Sequence, residues 1–454
     1  MLKMEKHKTE NEQMKPTDNT VGNTVIGEQG LYNARQLGVP KMLLLGLQHT
    51  FAMFGATVLV PLLTGLSVST TLLMAGLGTL LFHVLTKGKI PAFLGSSFAF
   101  LGGYAAVSQT PDGVVIPEML PYACGGVVVA GLVYLVLSGC IKLFGVSRVM
   151  RFFPPVVTGP IIISIGLILA PSAITNASTN WVLAVVALAV IIICNIWGKG
   201  MVKIIPIMLG IIVSYIVALF MGEVDFSGVT EMASKGFSGF LAIPLDKNNF
   251  AKFDISAILT ILPIALATMM EHIGDISAIG ATTGKNYIAN PGLHRTLLGD
   301  GLATCMAAFF GGPANTTYGE NTGVLALSKV YDPIVVRIAA CVAIILSFFP
   351  IFAEVVQSIP TAIIGGVSLI LYGMISAIGV RNVVENQVDF TKSRNLIIAA
   401  VILVSALGFN DIGGITFVVG GYDITLSGIA ISSILGIVLN AILPGNDYVF
   451  KVED

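Results

Sequence analysis

Charge is what this sequence has least of. Of its 454 residues only 11% are charged, against 55% hydrophobic, whereas soluble domains carry near 25% charged residues. That scarcity excludes a soluble globular domain, and a formal net charge of −1 offers no basic surplus for nucleic acid. Cysteine is sparse too. Cys124, Cys140, Cys194, Cys305 and Cys341 lie scattered through apolar stretches, with neither metal-ligand spacing nor the clustering of a disulfide framework. The five histidines include no HExxH pair, and spacing assigns no nucleophile–base pair, so neither an enzyme nor a resident metal or cofactor is expected. Nor is a removable signal peptide expected. The first 40 residues are polar and carry both signs of charge (Lys3, Glu5, Lys6, Lys8, Glu10, Glu12), as in a disordered cytoplasmic tail rather than an n-region and h-region.

What fills the chain instead is a series of apolar segments: 42–65, 71–84, 124–143, 157–170, 181–196, 204–220, 255–270, 338–352, 362–380, 396–409 and 426–443. Many reach the roughly 20 residues that cross about 30 Å of hydrocarbon. They predict an all-α polytopic membrane protein. A count of fourteen spans is adopted, two of them irregular segments around 92–108 and 311–329. With the N-terminus inside, the cytoplasmic tails and loops then hold all but three of the 24 Lys and Arg, the exceptions being Lys235, Lys247 and Lys252. Such a bias follows the positive-inside rule, and it places both termini in the cytoplasm. It survives only if both irregular segments cross the bilayer, since omitting either inverts every later loop.

The irregular segments resemble each other in layout. KIPAFLGSSFAFLGG (89–103) has Pro91, a small polar centre and then an apolar stretch; FFGGPANTTYGENTGVLAL (309–327) has Pro313, a polar centre and then an apolar stretch. Each leaves room for only half a helix. They are the third and tenth spans, matching places in two seven-span halves, and an odd number of spans per half forces the halves into opposite orientation. Paired short, Gly/Pro-interrupted segments point to a transporter's binding site, because backbone groups freed at membrane depth must be buried in protein or line a cavity.

Four clusters can carry chemistry there. Glu271 and Asp275, in MMEHIGD, are four residues apart and project from one helix face. A charge within a span costs at least about 2.5–3.5 kcal/mol on insertion scales, so both are functional candidates unless the span ends early and leaves them in the interface. His272 points to another side of that helix and reads as a packing residue. Glu320 belongs either to a solvent loop or to the tenth span, and the positive-inside pattern favours the span. Phe98, in GSSFAF, could stack on a flat ligand or pack on a neighbouring helix. His49, next to Gln48 in the first span, could brace the broken segments or be a satisfied structural histidine. Two carboxylates beside the free N–H groups of two half-helix N-termini suit a neutral planar ring with alternating N–H and C=O groups, a nucleobase such as uracil. A carboxyl group in that setting can take up and release a proton as the ligand comes and goes, coupling the two.

QHTFAMFGATVLVP, KIPAFLGSSFAF, MEHIGD, NPGLHRTLLGDGLAT and NTTYGENTGV resemble the nucleobase–ascorbate transporter family (nucleobase:cation symporter 2), above all its bacterial uracil permeases. The resemblance covers about 34–443. It implies fourteen transmembrane segments as a 7+7 inverted repeat, with short strands plus half-helices in segments 3 and 10. It further implies a core domain (segments 1–4 at 39–146, segments 8–11 at 254–357), a gate domain (segments 5–7 at 147–253, segments 12–14 at 358–445) and tails at 1–38 and 446–454. A homodimer working by elevator-like displacement of the core, in a bacterial cytoplasmic membrane, would follow. Residue by residue, Glu271 resembles the family's substrate-binding carboxylate, Glu320 the second carboxylate, Gly319 a backbone donor and Tyr318 a pocket wall. Phe98 resembles the aromatic beside the ring, and His49 the bracing histidine. Glu320-Asn321 resembles uracil carriers more than purine carriers. Asp275 stands where a uracil permease of the family has histidine, so proton handling falls to Asp275 with Glu271 and Glu320; Ser328 replaces a usual Thr. The expected activity is proton-coupled uracil import, with a xanthine- or guanine-type purine symporter, or an anion transporter of the same fold, as alternatives.

Overall fold

A computed structural model describes residues 30–110 and 114–445; residues 1–29 of the tail expected at 1–38, and the tail expected at 446–454, lie outside the described residues. Among the described residues fourteen segments follow one another in chain order, each assigned to one expected span. Span 1 is Val39–Thr64, span 2 Val68–Leu85, span 4 Leu120–Phe144, span 5 Pro155–Ser178, span 6 Trp181–Trp197 and span 7 Pro206–Met221. In the second half, span 8 runs Ile255–Thr283 with a break before Pro263, followed by span 9 (Leu293–Phe309), span 11 (Pro333–Ser347), span 12 (Thr361–Glu385), span 13 (Ser393–Asp411) and span 14 (Gly428–Ile442). Among the described residues seven helices are long and apolar enough to cross a membrane alone; those of spans 6, 7 and 14 are apolar but shorter.

Spans 3 and 10 are broken as the sequence predicts. Each is a three-residue strand, β1 (Leu94–Ser96) or β2 (Asn315–Thr317), followed by a half-helix, Leu101–Ser108 or Gly319–Ser328. The strands pair antiparallel, Leu94 opposite Thr317, Gly95 opposite Thr316 and Ser96 opposite Asn315. The freed backbone groups at mid-membrane thereby satisfy each other across the two halves. Gly95 is required by this meeting, since a Cβ there would run into the Tyr318 ring. Side chains complete the clamp. Thr79 Oγ1 bonds both the Leu94 carbonyl (3.1 Å) and its N–H (2.9 Å), Asn315 Nδ2 donates to the Met74 carbonyl at 3.1 Å, and Thr304 Oγ1 donates to the Asn315 carbonyl at 2.8 Å.

The packing obeys the repeat. Each of the larger helix contacts has a counterpart obtained by exchanging spans seven apart: 4 on 9 with 11 on 2, 1 on 11 with 8 on 4, 6 on 7 with 13 on 14, and 6 on 12 with 13 on 5; the pairs 5 on 12 and 2 on 9 map onto themselves. Spans 1–4 pack chiefly with 8–11, and spans 5–7 with 12–14. Between spans 5 and 12 the backbones approach closely: a Cβ on Gly379 would meet the Ile163 backbone nitrogen at 2.6 Å.

Several features depart from the sequence reading. The apolar run 338–352 is not one helix. Span 11 stops at Ser347, and Pro350–Gln357 leaves it at 92°, because Pro350 supplies no N–H to a continuing helix and drives Phe349 into an extended conformation (φ −105°, ψ 91°). The long segment after span 7 is partly helical, Ser227–Ser234 and Phe237–Phe240 resting on Pro350–Gln357. Between spans 13 and 14 stands a hairpin, β3 (Ile415–Val419) and β4 (Tyr422–Leu426), turning at Gly420 and Gly421. Residues 31–37, within the expected tail, are anchored: Leu31 N–H donates to the Lys329 carbonyl at 2.7 Å and Ala34 N–H to Asp332 Oδ2 at 2.8 Å.

Candidate functional site

Glu271 and Asp275 project from span 8 toward the start of the tenth-span half-helix. With Phe98, Thr316, Thr317, Tyr318, Gly319 and Glu320 they line one small cavity, closed on its far side by Ile162 of span 5 and Ile375 and Ile378 of span 12. Three carboxylates thus share a space that no Lys or Arg lines. The i,i+4 spacing on one helix places two of them; the strand-to-helix break places the third.

Each carboxylate is held differently. Asp275 Oδ2 accepts a hydrogen bond from Thr317 Oγ1 at 2.8 Å, which ties span 8 to β2. Glu320 sits in the first turn of its half-helix, where the helix dipole and free N–H groups favour an anion. Tyr318, the residue before that turn, makes no side-chain cap bond, and neither does Phe100 before the third-span half-helix. The tenth-span N-terminus therefore keeps backbone donors for another partner, whereas at the third-span start Leu101 N–H donates to the Phe98 carbonyl at 3.1 Å. Glu271 Oε2 and Thr316 Oγ1 are buried on the cavity wall with no hydrogen-bond partner. Buried polar atoms are nearly always paired, so these two mark where a polar ligand would be recognised.

The aromatic residues are positioned by the strands. Tyr318 O–H donates to the Ser96 carbonyl at 3.1 Å and receives Thr57 Oγ1 at 3.4 Å, which fixes its ring beside β1. Phe98 lies edge-on to Tyr372 of span 12, centroids 5.9 Å apart. The structure places His49 behind the cavity wall rather than on it: fully buried, it meets Asn321 Nδ2 through both its Nδ1 and its carbonyl at 3.1 Å. Asn321 follows Glu320, so this contact fixes the first turn that carries the carboxylate.

One pair escapes the sequence reading. His272 Nδ1 lies 3.1 Å from Asp300 Oδ2 of span 9, both side chains fully buried, with Thr317 Oγ1 3.5 Å from the same nitrogen. The contact is a short approach without hydrogen-bond alignment, as the Asp300 oxygens count as unpaired. His272 does leave the carboxylate face, as its place on the helix predicts, but it packs against a carboxyl group rather than a hydrocarbon. The signal that could find Asp300 is the cost of a charge inside a span, for it is the one charged residue between Arg295 and Glu320.

From Asp275 and Glu320 a second cavity, about 420 Å³, extends along spans 8, 10 and 12 to Arg381, Asn382 and Glu385 at the C-terminal end of span 12. Its size is that of a small-molecule site. It opens on the side of the Lys/Arg-rich loops, past the exposed Arg381–Glu385 pair (2.6 Å).

The comparisons with known proteins agree with this architecture. A family model described as "Permease family" (Xan_ur_permease) matches residues 40–442. The uracil permease of Bacillus caldolyticus is 42% identical over 90% of this chain and 93% of its own length. That of Bacillus subtilis is 39% identical over 88% and 91%, and that of Escherichia coli K12 38% over 88% and 90%. Among solved structures, the transmembrane domain of the cyanobacterial bicarbonate transporter BicA superposes with TM-score 0.60 over 91% of this chain and 99% of that one, at 14% identity. SLC26A9 gives 0.64 over 90% and 66%, at 12% identity; at such identities the likeness concerns the fold alone. The protein is a multi-pass membrane permease rather than an enzyme, and the chain belongs to the nucleobase–ascorbate transporter family.

Proposed function

We propose that the protein imports uracil across a bacterial cytoplasmic membrane together with a proton. The observation that carries this reading is the cavity in which Glu271, Asp275 and Glu320 meet the start of the tenth-span half-helix, which no side chain caps, beside Phe98 ahead of the third-span half-helix. A neutral ring with alternating N–H and C=O groups uses both kinds of partner, its N–H groups on the carboxylates and its carbonyls on backbone N–H groups. Relatives named uracil permeases, at about 40% identity over most of the chain, support that ring over a purine. An anion would meet three carboxylates and no cation, which argues against an anion as the substrate.

In the proposed cycle a proton from outside enters the carboxylate cluster and uracil docks between the broken spans. The core (39–146 and 254–357) then moves against the gate (147–253 and 358–445), and both leave through the 420 Å³ cavity to the cytoplasm. With both termini inside, as the Lys and Arg distribution predicts, this conformation faces inward. Tyr318, Gly319 and Phe98 frame the ring, while His49 acts through Asn321 on the half-helix. We also propose a homodimer, in which the gates meet and the cores move. The test is labelled uracil uptake into proteoliposomes with an imposed pH gradient. Accumulation should follow the gradient and cease when an ionophore collapses it. Undiminished accumulation without the gradient would remove proton coupling, and competition by unlabelled xanthine or guanine stronger than by uracil would reassign the substrate.

A further inference from the structure

The repeat produces a second pair of matched features outside the substrate path. One groove, about 520 Å³, runs in the seam between spans 4, 8 and 14 beneath the short linker helix Val146–Met150. The other, about 450 Å³, runs between spans 11, 1 and 7 beneath Pro350–Gln357. Exchanging spans seven apart turns one into the other, so the two grooves face opposite membrane surfaces. Their walls are alike in being apolar: Leu137, Leu266 and Ile437 in the first, Phe54, Ile212 and Leu346 in the second. Only their mouths differ. The first carries Arg148, exposed and without a hydrogen-bond or ion-pair partner among the described residues. The second has no charged lining residue, and its polar edge is closed by Tyr215 O–H against Ser358 Oγ at 2.7 Å.

We propose that the groove at Arg148 is a binding site for an anionic phospholipid of the leaflet on the Lys/Arg-rich side. One acyl chain would lie along Leu137, Leu266 and Ile437, with the phosphate on the guanidinium. Three observations select that occupant. Apolar walls at membrane depth reward a hydrocarbon chain and neither water nor a nucleobase. The residues at the mouth remain uncovered although they are large and apolar, Phe144 being 58% and Phe152 48% exposed. The single cation sits where basic pockets between spans meet acidic headgroups, and the structurally matched groove on the opposite side lacks it. Arg148 donates a fork of N–H groups that fits phosphate oxygens, with Lys142 and Arg151 exposed on the flanking turns.

The site is tested on the full-length protein, purified and delipidated, by native mass spectrometry with phosphatidylglycerol and phosphatidylcholine of identical acyl chains. One cation near the membrane surface contributes roughly 1 kcal/mol, so the wild type should retain phosphatidylglycerol about fivefold better than phosphatidylcholine. Arg148→Gln should bring the two lipids to parity, while Lys199→Gln, which removes a basic residue of another loop, should leave the preference intact. Ile437→Trp fills the groove and should reduce retention of both lipids at unchanged oligomeric mass. Equal retention by the wild type, or an equal loss of preference in Lys199→Gln, would overturn the site. So would Ile437→Trp dissociating an oligomer without changing lipid retention, since a second copy of the chain would then cover the groove.

Discussion

Replacing Glu271 by glutamine probes the site at its most exposed assumption. The side chain keeps its shape, but one acceptor becomes an NH₂ donor and the negative charge is lost. In the ligand-free protein Glu271 Oε2 is buried and unpaired, so no existing hydrogen bond of that oxygen is broken, and the thermal midpoint without ligand should stay at or above the wild-type value. Any effect then belongs to the ligand. A hydrogen bond from a ring N–H to a carboxylate contributes about 1.5–3 kcal/mol, one to a neutral amide oxygen about 0.5–1.5 kcal/mol. If the introduced amide turns its carbonyl toward the ring, the loss is about 1 kcal/mol; if its NH₂ faces the ring N–H, unsatisfied donors add roughly 1–3 kcal/mol more. Uracil binding should therefore weaken roughly 5- to 700-fold, measured by titration calorimetry or by ligand-induced thermal stabilisation in detergent. Wild-type affinity in Glu271→Gln would refute the placement of the ring against span 8.

Other substitutions separate the remaining roles. Asp275→Asn keeps an acceptor for Thr317 Oγ1 but no longer titrates, so uracil should still bind while the pH dependence of uptake flattens; an unchanged profile would make Asp275 structural. Asp300→Asn takes the carboxylate from a fully buried partner, His272. A buried polar group left without its neighbour costs about 1–3 kcal/mol, so a lower thermal midpoint is expected, and an unchanged midpoint would show that the contact contributes nothing to stability. Gly95→Ala pushes a methyl group into the Tyr318 ring. Overpacking of this kind costs about 1–3 kcal/mol, and Tyr318→Leu in the same background should restore part of the lost stability.

Which parts of this structure are legible in the sequence depends on whether one segment alone carries the signal. Glu271, Asp275 and Glu320 stand out because a charge in an apolar span is costly wherever its partner lies, and the broken spans because Pro91, Pro313 and their small polar neighbours interrupt hydrocarbon-length runs. Asp300 gives the same signal, muted by the glycines on either side of it. Its pairing with His272 is not legible, since the residues meet only when spans 8 and 9 fold against each other. The bend at Pro350 is hidden because the apolar run continues through it: composition reports burial in lipid, whereas direction depends on the missing N–H. The hairpin 415–426 does carry a sequence signal, β-branched and aromatic residues on both sides of Gly420-Gly421. The longer apolar runs around it mask that signal.

The repeat is followed closely in packing and abandoned in chemistry. Spans seven apart exchange their larger contacts, and β1 and β2 meet as equals, yet the three carboxylates of the cavity all come from the second half: Glu271 and Asp275 lie on span 8 and Glu320 on span 10. The first half answers with neutral groups, Phe98 at the cavity wall and His49 behind it. Were both half-helices to carry a carboxylate, the symmetry would present two equivalent anionic faces, and a small ring could bind in either of two orientations. On the proposed function, acidity on one side only leaves a bound ring one way to place its N–H groups. On the proposed mechanism the same asymmetry joins the two cargoes. The groups that would hold the proton and those that would hold the ring lie on spans packed into one body, tied by the 2.8 Å bond from Thr317 to Asp275. A displacement of that body cannot carry one cargo and leave the other behind.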